Sequence, residues 1–265
     1  MRKGFTLIEI LVALAVMAVL LLAFTRFFGG TLTSASSLQV QNELLGEGEI
    51  AHQLIASRVK EAWYIFPKGS TLTLTSSGWT ASNSIDGGHQ WTVGDHFLAL
   101  ILPPKTDGTK CSEDNAGCFR FFAYYPQKRS WYVTHAGAAE ALDPDPLNDG
   151  KVWVLMEYRA YYRGGCPVTG SGQPDPGNTG YRGKRARLLV DYVQPNQDPW
   201  DSSYDYHLFE LPSDPTPEGL AVGLRLVRKT RRRLYRVPSG PAPFTLSVEA
   251  QNVGVKADPA APYCQ

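Results

Sequence analysis

Glu9 has the most unusual setting of any ionisable side chain in this sequence. It lies near the start of FTLIEILVALAVMAVLLLAFTRFF, Phe5 to Phe28, a run whose only other ionisable group is Arg26. A carboxylate in a membrane helix costs ~2.5 to 3.5 kcal/mol at the bilayer centre and less near an end, so its presence points to a function. Two chemistries fit. Thr6-Leu7-Ile8-Glu9 reads as a capping box, with the acid complementing the positive end of the helix dipole. Alternatively the carboxylate serves a function that requires a charge within the span, because a charge in a low dielectric is costly to keep there without one.

Other arrangements are less directive. There is no G-x-S-x-G, H-E-x-x-H or Walker A pattern, and His52, His89, His96, His135 and His207 are scattered, so neither catalysis nor a cofactor is expected. Asp143, Asp145, Asn148 and Asp149 in DPDPLNDG offer oxygen atoms to calcium. They lack EF-hand spacing and carry two prolines, so a solvated acidic turn is the preferred reading and no metal site is assigned.

Two basic runs interrupt an otherwise even charge pattern: Arg182, Lys184, Arg185 and Arg187, then Arg225, Arg228, Lys229, Arg231, Arg232, Arg233 and Arg236. Tyr181 and Tyr235 beside them suit a surface that holds a nucleic-acid backbone, with Arg228, Lys229, Arg231, Arg232, Arg233 and Arg236 as candidate DNA contacts. The competing reading places these arginines on an edge strand, facing water and pairing with aspartates.

The elements that must carry these groups follow from composition. The chain has 265 residues, 43% apolar and 19% charged, with 26 basic against 25 acidic side chains, which excludes a disordered or collagenous protein. Phe5 to Phe28 is long enough to cross a bilayer as a helix, and no later run matches it. Arg2 and Lys3 precede the span, so the positive-inside rule puts the N-terminus in the cytoplasm and the bulk of the chain across the membrane. Four cysteines without a C-x-x-C pattern agree with an oxidising compartment. A secretory signal is not expected, since the apolar run is too long and no A-x-A site follows it.

Lys3-Gly4-Phe5-Thr6-Leu7-Ile8-Glu9, continued by Ile10-Leu11-Val12-Ala13-Leu14-Ala15, resembles the leader and first helix of type IV pilins and the pseudopilins of type II secretion. The resemblance implies a prepilin peptidase that cuts between Gly4 and Phe5 and methylates the new amine of Phe5. It also implies that Glu9 neutralises the amine of a neighbouring subunit during filament assembly. Implied partners are other pilins or pseudopilins, an inner-membrane assembly platform and, through residues 5–28, the bacterial inner membrane. Leu38 to Tyr64 is more loosely similar to minor pilins of the PilW kind and to pseudopilin J. Loss of Arg2 and Lys3 would leave 24 of the 26 basic residues against 25 acidic ones, a nearly neutral product.

The expected fold is α+β and pilin-like: a long N-terminal helix, transmembrane in its first half and amphipathic in its second, packed on an antiparallel β-sheet. Residues 1–4 form the leader, 5–28 the membrane helix, 29–66 the amphipathic half, and 67–265 a globular β-rich domain. The helix is expected from about Phe5 to Trp63, with a hinge or fray at Gly29-Gly30. Leu44, Leu45, Ile50, Leu54, Ile55 and Val59 supply its apolar face.

Expected strands are Phe97–Leu102, Phe119–Tyr125, Ser130–Thr134, Val152–Tyr162, Arg187–Val193, Tyr206–Leu211, Leu220–Arg228, Arg232–Val237 and Phe244–Glu249. Gly164 to Gly183, rich in Gly and Pro, is expected to be irregular. Cys111 and Cys118 are spaced for a local disulfide worth about 2.5 kcal/mol, and a bridge from Cys166 to Cys264 would be worth ~4.7, although four cysteines allow three pairings. The function these readings favour is a minor pilin or pseudopilin that is incorporated into, or initiates, a filament. The alternative is a DNA-binding minor pilin of natural transformation.

Overall fold

The computed structural model describes residues 7–75, 78–94, 96–105, 117–138, 140–162, 181–212, 219–231, 233–240 and 242–251. The chain divides into two compact units, Met1–Glu43 and Leu44–Gln265. Helix α1 spans Leu7–Glu61. It runs through Gly29 and Gly30, where the sequence suggested a hinge or fray. Two glycines cost roughly 2 kcal/mol relative to alanine. A break would strand two further sets of terminal N–H and C=O groups and require a second nucleation, which outweighs that cost. The hydroxyl of Thr31 donates back to Phe28 O at 2.9 Å and Phe27 O at 3.2 Å, so it makes no demand for water there. The helix stops at Glu61 because Trp63 N donates to Ile101 O and Phe66 N to Ala99 O, which draws the chain into a sheet.

In the second unit, α1 buries Leu44, Gly48, Ala51, His52, Ile55, Ala56 and Val59, which recur in steps of three and four. Leu44, Ile55 and Val59 match the expected face and Leu54 is half-buried, whereas Leu45 and Ile50 are 42% and 66% exposed. Those two fall off the stripe, whose buried positions include the small residues Gly48, Ala51 and Ala56. A Cβ at Gly48 would sit 3.5 Å from the Leu226 side chain, so the helix approaches to ordinary contact distance.

The strands in chain order are β1 (Tyr64–Ile65), β2 (Thr71–Thr73), β3 (Gln90–Thr92), β4 (Leu98–Leu102), β5 (Phe119–Lys128), β6 (Trp153–Tyr162) and β7 (Tyr181–Val193). They continue with β8 (Gln197–Asp198), β9 (Asp201–Asp205), β10 (Phe209–Glu210), β11 (Gly219–Leu224), β12 (Leu226–Lys229), β13 (Leu234–Val237) and β14 (Phe244–Glu249). The main sheet has the order β1-β4-β5-β6-β7-β12-β13, antiparallel at every pairing. A smaller sheet has the order β10-β11-β14. This is the α+β, helix-on-antiparallel-sheet arrangement expected from the sequence.

Strands β4 and β5 are buried on both faces, which explains their continuous rather than alternating apolar pattern. On the helix side, Arg58 stacks over Phe122 at 4.9 Å. Tyr124, Glu157 and Arg187 lie directly across from one another in register on the same face. The Tyr124 hydroxyl donates to Glu157, and so does the Arg187 guanidinium. On the opposite side the described residues between Phe66 and Phe97 form a cover. Tyr158 and Tyr125 donate to the carbonyls of Thr75 and Thr80, and Trp91 packs on Phe97 and Tyr125.

Several expected elements change form. Ser130–Thr134, rich in aromatic and β-branched residues, lies in helix α2 (Arg129–His135). Tertiary bonds override its strand propensity: Arg129 N donates to Val152 O, Ser130 N donates to Asp149 O, and the Arg129 side chain turns inward. Leu220–Arg228 splits at buried Arg225 into β11 and β12, which belong to different sheets. Of Tyr206–Leu211, only Phe209–Glu210 pairs. Strand β7 begins at Tyr181, earlier than Arg187, and takes in Gly183 at φ +60°, the end of the stretch expected to be irregular.

Candidate membrane and assembly surface

From Leu7 to Phe28 every residue of α1 is exposed, including Leu7 at 80% and Phe27 at 67%. The most apolar window of this segment has a mean hydropathy of 2.9 and none of it is buried. A helix on a soluble core has one apolar stripe, and this one is apolar around its circumference. Leu7 to Phe28 rises roughly 33 Å at about 1.5 Å per residue, enough for a hydrocarbon layer of about 30 Å. The hydroxyl of Thr25 donates to Leu22 O at 3.0 Å, so this polar group is satisfied within its own helix and tolerates apolar surroundings. Glu9 lies in the first turn and Arg26 near the other end of the span. Those are the depths at which a charge is cheapest. Gly4 and Phe5 fall outside the described residues.

The basic residues do not form one uniform surface. Arg236 donates to Asp198 at 2.7 Å, and the Asp198 side chain is fully buried. Arg228 stacks 4.7 Å above the Tyr192 ring, and Lys229 holds its strand edge through Asn148. Arg231 and Arg233 are exposed, while Arg232 lies outside the described residues. In the first run, Lys184 donates to the Thr75 hydroxyl at 2.7 Å and Arg187 is bound to Glu157. Arg182 and Arg185 are exposed.

The acidic run is a turn with Asp143 exposed at the surface, and within it Asp145, Asn148 and Asp149 are also engaged with the rest of the protein. Arg129, only 2% exposed, donates bidentately to Asp191 at 2.9 to 3.1 Å, to Asp149, and to the carbonyl of Asp143 at 3.1 Å. Asp145 accepts from the Tyr192 hydroxyl at 3.1 Å and from Asn148 at 2.8 Å. Buried Asn148 also bonds both backbone groups of Lys229, donating at 2.8 Å and accepting at 2.7 Å. Residues 143–149 therefore tie α2, β7 and β12 together. No group of three or more potential metal ligands occurs among the described residues. Arg129 had not been singled out in the sequence. Its only local signal is a charge lodged among the aromatic residues of KRSWYV.

The histidines do not converge. His135 stacks on Trp131 at 3.8 Å, His96 is 3.9 Å from Asp86, and His89 and His207 are exposed. His52 is 9% exposed and meets the edge of Phe244 at a centroid distance of 6.3 Å. Burial lowers its pKa below the ordinary 6.5, against a backbone hydrogen bond at Val222 that raises it. Below pH 6.5 the unfolded chain takes up a proton that the folded chain resists, so stability falls as pH drops from 6.5 through the lower folded value and then levels off. Thermal unfolding between pH 7.5 and 5 should show this loss, and His52→Gln should flatten that part of the profile.

Cys118 is fully buried and disulfide-bonded. Cys111, Cys166 and Cys264 lie outside the described residues, and so does the choice of its partner.

The family profile described as the prokaryotic N-terminal methylation motif matches residues 1–25. No curated protein and no solved structure matches the chain. The matched residues end inside the apolar span, so the motif and the exposed helix are one continuous piece of chain. The N-terminal part of this protein is therefore a methylation-motif segment of the kind typical of type IV pilins and pseudopilins.

Proposed function

We propose that the chain is a minor pilin or pseudopilin, held in the bacterial inner membrane by residues 5–28 with its N-terminus cytoplasmic. A prepilin peptidase cuts it between Gly4 and Phe5 and methylates the amine of Phe5. The subunit then enters or initiates a filament with other pilins or pseudopilins on an inner-membrane assembly platform. The observation that carries this reading is the methylation motif at residues 1–25 running directly into a helix with no buried residue between Leu7 and Phe28.

The mechanism is transfer of one helix from lipid to a bundle of like helices. Lipid tails are as apolar as leucine, so packing and polar pairing drive the step rather than exclusion of water. The Phe5 amine and Glu9 carboxylate, one helical turn apart in sequence, are the polar groups available for that pairing. The globular unit performs no covalent chemistry in this scheme. DNA contact, the alternative, is left with Arg231 and Arg233 as its exposed described residues of the second run.

Intact-mass and N-terminal analysis of protein from the cell membrane tests the processing step. The expected product lacks Met-Arg-Lys-Gly and carries one additional methyl group on Phe5. Mature material that still begins at Met1 would overturn the reading.

A further inference from the structure

An open groove of about 550 Å³ lies where the last turn of α1 meets the end of β4 and the start of β5. It is lined by Arg58, Glu61, Pro103, Pro104, Lys105 and Arg120. Three cations thus face one carboxylate. Arg120 is 7% exposed, and its Nε donates to Pro103 O at 3.2 Å, which fixes the guanidinium in place. Its Nη2 is 3.6 Å from Glu61, and Arg58 Nη1 stands 3.6 Å from the same carboxylate oxygen.

Both separations exceed the ~2.7 to 2.9 Å of a charge-assisted hydrogen bond. The contrast with Arg129 is internal to the protein: that buried guanidinium has bidentate bonds of 2.9 to 3.1 Å to Asp191. Burial lowers the pKa of Arg120 against the pull of Glu61, and the charge of Arg58 lowers it further. Among the described residues that line the groove, three cations outnumber the one carboxylate. The proline walls contribute no N–H donors, so recognition there falls to the guanidinium and ammonium groups.

We infer that this groove is a binding site for an oxyanion, a carboxylate or phosphate group, received by Arg58, Lys105 and Arg120. Arg120 is the fixed member, Arg58 is positioned by its stack on Phe122, and Lys105 is exposed and supplies a flexible third charge. Glu61 sets the selectivity: it spaces the two guanidiniums and leaves a net attraction for one anionic group. The site stands independently of how the N-terminal segment is used.

The test uses the full chain in a neutral detergent, titrated with sodium phosphate and separately with a short glutamate peptide at constant ionic strength. Calorimetry should give saturable binding with at least one probe, accompanied by a higher thermal unfolding midpoint. Arg58→Gln combined with Lys105→Gln should weaken binding by at least about tenfold, and Lys105→Gln alone, at an exposed side chain, should weaken it measurably while leaving the ligand-free midpoint near wild type. Tighter binding of the peptide would identify an acidic protein segment as the natural source, and tighter binding of phosphate a phosphate-bearing one. Absence of saturable binding with both probes, or equal affinity in the double variant, would overturn the site.

Discussion

Replacing Glu9 with alanine should leave the protein in the membrane fraction and remove it from filaments. The two outcomes separate because the carboxylate enters the two environments on opposite terms. In lipid it is a burden, of order 2.5 kcal/mol at mid-depth and less at the end of the span, so its loss does not weaken insertion. Among packed helices, under the assembly role proposed above, it answers an amine. An amine left there without a partner costs about 3 to 5 kcal/mol, which at 1.4 kcal/mol per decade predicts at least a hundredfold loss of incorporation. Quantitative blotting of sheared filaments against the membrane pool measures the ratio. Incorporation at the wild-type level would remove Glu9 from the mechanism, and loss of membrane retention would show that it serves insertion instead.

Asp191→Ala should be the most destabilising single change in the globular unit, by about 3 to 5 kcal/mol. It leaves Arg129, 2% exposed, without the bidentate partner that satisfies Nε and Nη2. Domains of this kind have only ~5 to 15 kcal/mol in total, so a large share of the stability is at stake. Tyr192, which takes its unusual φ of +58° beside Asp191 and donates its hydroxyl to Asp145, loses its backbone bond to the Asp191 carboxylate at the same time. Urea unfolding of the detergent-solubilised chain gives the value. Removing the charge as well, in Arg129→Met with Asp191→Leu, should recover much of the loss, because the cost lies in the unpaired ion rather than in the missing contact. A loss below about 1 kcal/mol in Asp191→Ala would mean that Asp149 and the Asp143 carbonyl satisfy Arg129 alone.

What could be read from the chain beforehand was what depends on near neighbours in sequence. The apolar helix, the buried runs of β4 to β6 and the motif at residues 1–25 are contiguous, and each carries its own period or order. Ser130–Thr134 misled because SWYVT has strand propensity, while the force that coils it is the burial of Arg129 against Asp191, sixty-two positions away. Leu220–Arg228 looked like one strand because its apolar character is nearly continuous, yet buried Arg225, donating to Gly240 O at 2.6 Å, marks the point where the chain leaves one sheet for another. The acidic residues at 143–149 suggested water or calcium because their partners, Arg129, Tyr192 and Lys229, are set by topology. The groove of Arg58, Lys105 and Arg120 draws on α1, the chain just after β4, and β5, and has no linear trace at all.

Every fully buried apolar side chain among the described residues comes at or after Leu44, beyond the greasy leading segment. Translation runs from the N-terminus, so the ribosome delivers the lipid-seeking piece before any part of the interior exists. Under the membrane role proposed above, insertion can be finished while nothing competes for those leucines and phenylalanines. The later residues then collapse on a chain already moored at one end.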